Sequence, residues 1–231
     1  MANKEKNEQQ DQLEIVESKI GQTEQYIEEN RNKIFTVIAI IAAIILGYLA
    51  YQKYVKLPKE QKTTAQMFQA ENYFERDSFD LALNGDGNYP GFVKVMSDYS
   101  GTKAANLAKY YASICYFRTQ NYDKALECIN GFSASDKNLA PISKGIAGDC
   151  WVEKGDFAKA EKCYKDAIKE ANGNVFVAPI YLNKLGKIME KQSKFQEALD
   201  SYNTILKSYP KSNEAKTIDR DIELMQIKLG K

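Results

Sequence analysis

The sequence predicts an all-α protein: an N-terminal single transmembrane helix followed by a helical solenoid. Three observations predict it. Residues 34–52 carry no charge. Three later segments align on one another at spacings of 35 and 38 residues. Ala215, Ile218, Ile222, Met225 and Leu229 then recur at helical spacing, which suits a closing helix with one apolar face. Composition narrows the function. The chain has 231 residues, 32 Lys plus Arg against 31 Asp plus Glu, and no His. A net charge of +1 gives no field for nucleic acid, so no nucleic-acid partner is expected. Without His there is no Ser-His-Asp or Cys-His catalysis and no imidazole metal ligand.

The first element is a polar tail, residues 1–33. Residues 1–12 are charged and polar. From Leu13 the apolar positions Leu13, Val16, Ile20, Ile27 and Ile34 step by three and four, with Thr23 and Asn30 in register. Gly21 interrupts the seam. Two readings stand: a short coiled coil or partner-binding helix giving a weak homo-oligomer, and an amphipathic helix that simply runs into the membrane helix.

The second element, residues 34–52, lies between Lys33 and Lys53. Nineteen residues at about 1.5 Å each span about 28 Å, close to a hydrocarbon core, so membrane lipid is its expected partner. Tyr48, Tyr51 and Tyr54 cluster at one end, as an interfacial aromatic belt does. A buried core helix would not be bracketed so closely by charge. A cleaved signal peptide fits poorly, because the preceding region is net acidic and Tyr48 stands where a cleavage site wants a small residue. No Cys follows until Cys115, which argues against a lipoprotein anchor. Flanking charge is balanced: Lys19, Arg31 and Lys33 before the span, Lys53, Lys56, Lys59 and Lys62 after it.

Residues 53–105 form a degenerate helical repeat region, in which residues 59–101 read as helix, turn, helix, with Tyr73, Phe79 and Ala82 in the expected order. The stretch NGDGNYPG breaks the chain. Its Gly85-Asp86-Gly87 lacks both a calcium-loop ligand series and a phosphate-loop Lys, so it reads as a tight turn. Residues 106–212 hold the three aligned segments. The turn aromatics are Tyr122, Phe157 and Phe195; three residues on come Ala125, Ala160 and Ala198. A small residue, Ser113, Gly148 or Gly186, sits mid-way along each first helix, and Tyr116, Trp151 and Met189 fill the gap beside it. A helix needs a small residue where its partner crosses closely. Residues 213–231 form the closing helix.

These units resemble the tetratricopeptide repeat. The third matches best, through Leu182, Leu185, Gly186, Phe195, Ala198, Tyr202 and Pro210. The second matches through Gly148, Trp151, Gly155, Phe157, Ala160, Tyr164 and Ala167, with Asn172 at the closing Pro position. The first has Ser113 for Gly and Ile129 for the aromatic. The resemblance implies a tetratricopeptide-repeat helical solenoid that binds proteins. The layout of tail, span and repeats also resembles membrane-anchored repeat proteins of Bacteroidetes and, more distantly, YfgM-type ancillary subunits of the Sec translocon. That resemblance implies an inner-membrane protein, its C-terminal domain periplasmic, binding partner proteins or unfolded secreted clients. A coordinator of envelope or outer-membrane assembly, like those of the Tol–Pal system, is the other reading. No enzyme, cofactor or metal site is expected.

In such repeats the first helices line a concave face. Carried over by position, the lining residues are Tyr110, Ile114, Phe117 and Arg118, then Gly145, Asp149, Val152 and Glu153, then Asn183, Lys187, Glu190 and Lys191. Tyr110 and Phe117 would equally serve to pack against the upstream degenerate unit. Cys115 and Cys150 share one repeat position, Cys128 and Cys163 another. Buried free thiols are the simpler reading; disulfides would pair Cys115 with Cys128 and Cys150 with Cys163.

Overall fold

The computed structural model describes residue 28, residues 30–134 and residues 138–230. The tail seam Leu13, Val16, Ile20 and Ile27 lies outside the described residues. The described residues are helical, with a single isolated β-bridge between Gly85 and Pro90. The chain divides into two compact units, residues 1–58 and 59–231.

In the first unit, α1 is Arg31–Tyr51 and none of its residues is buried. The helical run Arg31–Glu75 is long and apolar enough to cross a membrane, and its most apolar window is 0% buried. A π-helical turn, Gln52–Lys56, follows α1. Pro58 has no N–H to offer the carbonyl four residues back, and the widened turn sits there.

The second unit is built from α2 (Leu57–Glu75), α3 (Phe79–Asn84), α4 (Phe92–Asp98), α5 (Lys103–Arg118), α6 (Tyr122–Asn130), α7 (Leu139–Glu153), α8 (Phe157–Ala171), α9 (Ala178–Lys191), α10 (Phe195–Ser208) and α11 (Asp219–Lys228). One turn recurs four times. Asp77, Gln120, Gly155 and Ser193 each stand two residues before the turn aromatic with φ between 55° and 75°. After each, the N–H of Ser78, Asn121, Asp156 or Lys194 bonds the carbonyl of Tyr73, Tyr116, Trp151 or Met189 at 2.8–2.9 Å. This is the left-handed helix ending in which two N–H groups satisfy the last orphan carbonyls. Residues 57–84 thus share the turn geometry of the three later pairs.

Close crossing explains the small residues. A Cβ on Gly148 would lie 2.5 Å from the Tyr164 ring, and one on Gly186 would lie 2.2 Å from the Tyr202 ring. The first pair solves the same problem by exchange of volume. Ser113, fully buried, tucks its hydroxyl onto the Tyr110 carbonyl at 2.6 Å, and Ile129 replaces the ring. Ala70, Ala82, Ala125, Ala160 and Ala198 are 0% exposed at the crossings. Three apolar clusters run along the unit, and Tyr116 and Trp151 each belong to two of them. The stack therefore buries its helices only through neighbours.

The upstream pair is cut short. Its second helix, α3, stops after six residues at Gly85, whose φ is 81°. Asp86 then accepts from the N–H of Asn88 and Tyr89 and from the Tyr73 hydroxyl at 2.8 Å. These bonds hold the Asp86 carboxyl below the usual carboxylate range, and they account for the Gly85-Asp86-Gly87 loop as a turn. Glu60 accepts from the N–H of Lys103 and Ala104, capping α5 from α2. All four cysteines are free.

Candidate protein-binding face

The first helix of each pair presents repeat-equivalent positions on one side. On α5, Tyr110 is half-buried, 5.7 Å from the Tyr111 ring and 5.5 Å from Phe132. Ile114 is half-buried beside it, and Arg118 is exposed. Phe117 tilts against Tyr122 at 5.7 Å and packs on the α6–α7 cluster. On α7, Gly145 is buried beneath Tyr181: a Cβ there would lie 2.1 Å from that ring. Val152 is half-buried, and exposed Glu153 accepts from the Tyr122 hydroxyl at 3.5 Å. On α9, Lys187 and Lys191 are exposed, Lys191 with its ammonium 5.4 Å from the Phe157 ring. Asn183 has its buried Oδ1 without a hydrogen-bond partner. Glu190 accepts from the Tyr202 hydroxyl.

Asp149 is the junction of this side. Its Oδ1 accepts from the Tyr164 hydroxyl at 2.6 Å, and Lys184 donates to both of its oxygens at 2.7 Å. The Lys184 ammonium also stands 5.9 Å from the Tyr164 and Tyr181 rings. Burial, then the Asp149 charge, push both phenols well above their ordinary value, so they stay neutral donors. The structure thus brings Gly145 and Asp149 together with Tyr164, Tyr181 and Lys184, which the positional reading missed. Lys184 lies one helical turn before Lys187, the repeat equivalent of Asp149, so alignment of the repeats alone does not mark the pair. The middle of the face is a matched ion pair rather than a bare acidic patch. Among the described residues Lys187, Lys191 and Arg118 form no ion pair, and Ile114, Phe117 and Val152 are the apolar lining positions of α5 and α7.

A cavity of about 600 Å³ lies elsewhere, where the loop after α8 meets the loop after α10. It is lined by Val175, Phe176, Ile180, Tyr209 and Pro210, with Phe176 80% exposed, and shares no residue with the face. Among the described residues no group of three or more His, Cys, Asp or Glu could hold a metal.

The arrangement is a stack of crossed helix pairs with one shared side-chain face. The tetratricopeptide repeat family profile matches residues 184–212. The match covers most of α9, all of α10 and the closing Pro210, which is the unit the sequence marks most clearly. Comparison with curated proteins gives no match. The repeat character of α9 and α10 thus rests on a family profile, and that of α5–α8 on the recurring turn and crossing geometry.

Proposed function

We propose that the chain is a membrane-tethered scaffold that holds a partner or client polypeptide on the face of α5, α7 and α9. One observation carries this reading. Half-buried Phe117 and Val152 share one repeat position, half-buried Ile114 lies one turn before Phe117, and exposed Arg118, Lys187 and Lys191 stand at lining positions of α5 and α9. Apolar anchors rimmed by unpaired charge are what a bound extended segment uses. Tetratricopeptide repeats bind proteins, which agrees with it. The apolar run Arg31–Glu75 supplies the tether.

The finer reading follows the layout. The span sits in a cell inner membrane, the tail faces the cytosol, and the repeat unit is periplasmic. The partner belongs to the Sec translocon or to an envelope assembly of the Tol–Pal kind. Two experiments test this. Protease added to intact spheroplasts digests the repeat unit if it is periplasmic; full protection reverses the orientation. Crosslinking in native membranes followed by capture of the full chain recovers translocon subunits or secreted clients on the first reading. Recovery of outer-membrane or peptidoglycan machinery instead selects the second. Recovery of no protein contradicts the scaffold itself.

A further inference from the structure

The face continues one helix upstream of the three repeats. The recurring turn fixes the register: Asp77 corresponds to Gln120, and Ala70 to Ser113, both 43 residues apart. Glu71, Phe74 and Glu75 on α2 therefore stand at the positions of Ile114, Phe117 and Arg118. They line a cavity of about 260 Å³ together with Phe68, Asn72 and Tyr111.

Its walls are aromatic and braced. Phe74 meets Tyr111 edge-on at 5.0 Å, and Tyr111 stacks on buried Phe92 at 5.3 Å with 10° between the rings. Phe68, one turn from Asn72, is 63% exposed. The two carboxylates differ from the other acids of the face. Asp149 has Lys184 and Tyr164, Glu190 has Tyr202, and Glu153 has Tyr122. Among the described residues no cation and no hydrogen-bond donor reaches Glu71 or Glu75. Glu71 is raised from its ordinary value by burial and then by the Glu75 charge, which is the electrostatic mark of an uncompensated pair.

We propose that this notch receives an arginine side chain of the polypeptide that lies along the face of α5, α7 and α9. The chemistry selects arginine. A planar guanidinium stacks on an aromatic wall and forks to carboxylates at once, which an ammonium does less well. A second negative partner would add to the Glu71–Glu75 repulsion, and a plain apolar side chain would leave both carboxylates facing it. The notch thereby sets direction: an arginine at α2 is read at one end, and acidic groups meet Lys187 and Lys191 at the other.

This inference rests on the face being the binding site, so the test separates the two. The full chain in detergent micelles is titrated with two fluorescein-labelled peptides in physiological salt. One is an extended apolar peptide with a single arginine. The other carries neutral citrulline in its place. The arginine peptide is expected to bind at least about tenfold more tightly, since a hydrogen-bonded charge pair contributes on that scale. The E71Q/E75Q double variant should bind both peptides at the citrulline level. Its Trp151 fluorescence unfolding midpoint checks that it folds. A benzophenone placed beside the arginine should crosslink to Phe68 or Tyr111 in the unaltered chain. Equal binding of the two peptides, a preference that survives the double variant, or crosslinks confined to α7 and α9 overturns the notch and leaves the face standing. Binding of neither peptide overturns both.

Discussion

Gly186 marks the tighter of the two glycine crossings within a helix pair. Replacing it with Ala puts a Cβ 2.2 Å from Tyr202 Cε1, 2.6 Å from Cζ and 2.8 Å from Cδ1. Ordinary contact begins near 3.4 Å, so the ring would have to retreat by roughly 1.2 Å. It has nowhere to go. Tyr202 is 0% exposed, its hydroxyl is bonded to Glu190, and its cluster includes Leu182, Leu185 and Ile218. Overpacking of this kind costs about 1–3 kcal/mol, and a rigid ring places it at the upper end. The helix preference of Ala over Gly returns about 1 kcal/mol. The net loss is about 2 kcal/mol, or about thirtyfold in the folded-to-unfolded ratio. Urea unfolding of the full chain in micelles, followed by fluorescence, measures it. Trp151 is the chain's single Trp and reports the repeat unit without signal from the span. In a Tyr202→Ala background the same change should instead stabilise by up to about 1 kcal/mol. If Gly186→Ala stabilises the unaltered chain, the helices do not cross this closely and the reasoning fails.

Two further predictions concern titration. Lys165 and Lys194, with Gln192, hold the Glu161 carboxyl down to about 2 from its ordinary 4.5. A depressed carboxylate stabilises above its unfolded value and loses that contribution as pH falls through the folded one. Glu161→Gln should therefore be less stable than the unaltered chain at pH 6, with the gap closing between about pH 4.5 and 2 in a Trp151 melting series. The thiols of Cys115 and Cys150 are pushed up to about 12, and that of Cys128 to about 11, mainly by burial. Maleimide at pH 8 should label them at least about a hundredfold more slowly in the native chain than in urea. A gel shift on reduction, or prompt native labelling, contradicts free buried thiols.

The repeat was legible because its signals are local and redundant. Turn aromatic, alanine three residues on and small residue nine before each occupy one register. The exchange of Ser113 with Ile129 for Gly with Tyr keeps the crossing filled. The long apolar helix was legible from the absence of charge; it also takes in Arg31–Lys33, because helix formation does not stop at a polar boundary. What the sequence hid depends on side-chain direction across helices. Lys184 lies three positions before the lining residue Lys187, yet reaches back one full unit to Asp149. Glu71 and Glu75 were hidden because their unit loses its second helix after Asn84, which blurs the register. The left-handed Asp77 restores that register, and no residue type announces a positive φ there as Gly155 does.

In the proposed function a partner polypeptide lies on the face of the first helices. A photoreactive amino acid placed at Ile114, Val152 or Lys187, one at a time, in the full chain in native membranes tests it most directly. Placement at Lys162 on α8, exposed and off the face, is the control. Discrete protein adducts are expected from all three face positions, and none of those adducts from Lys162. The same adducts from Lys162, or none from the three face positions, would contradict it.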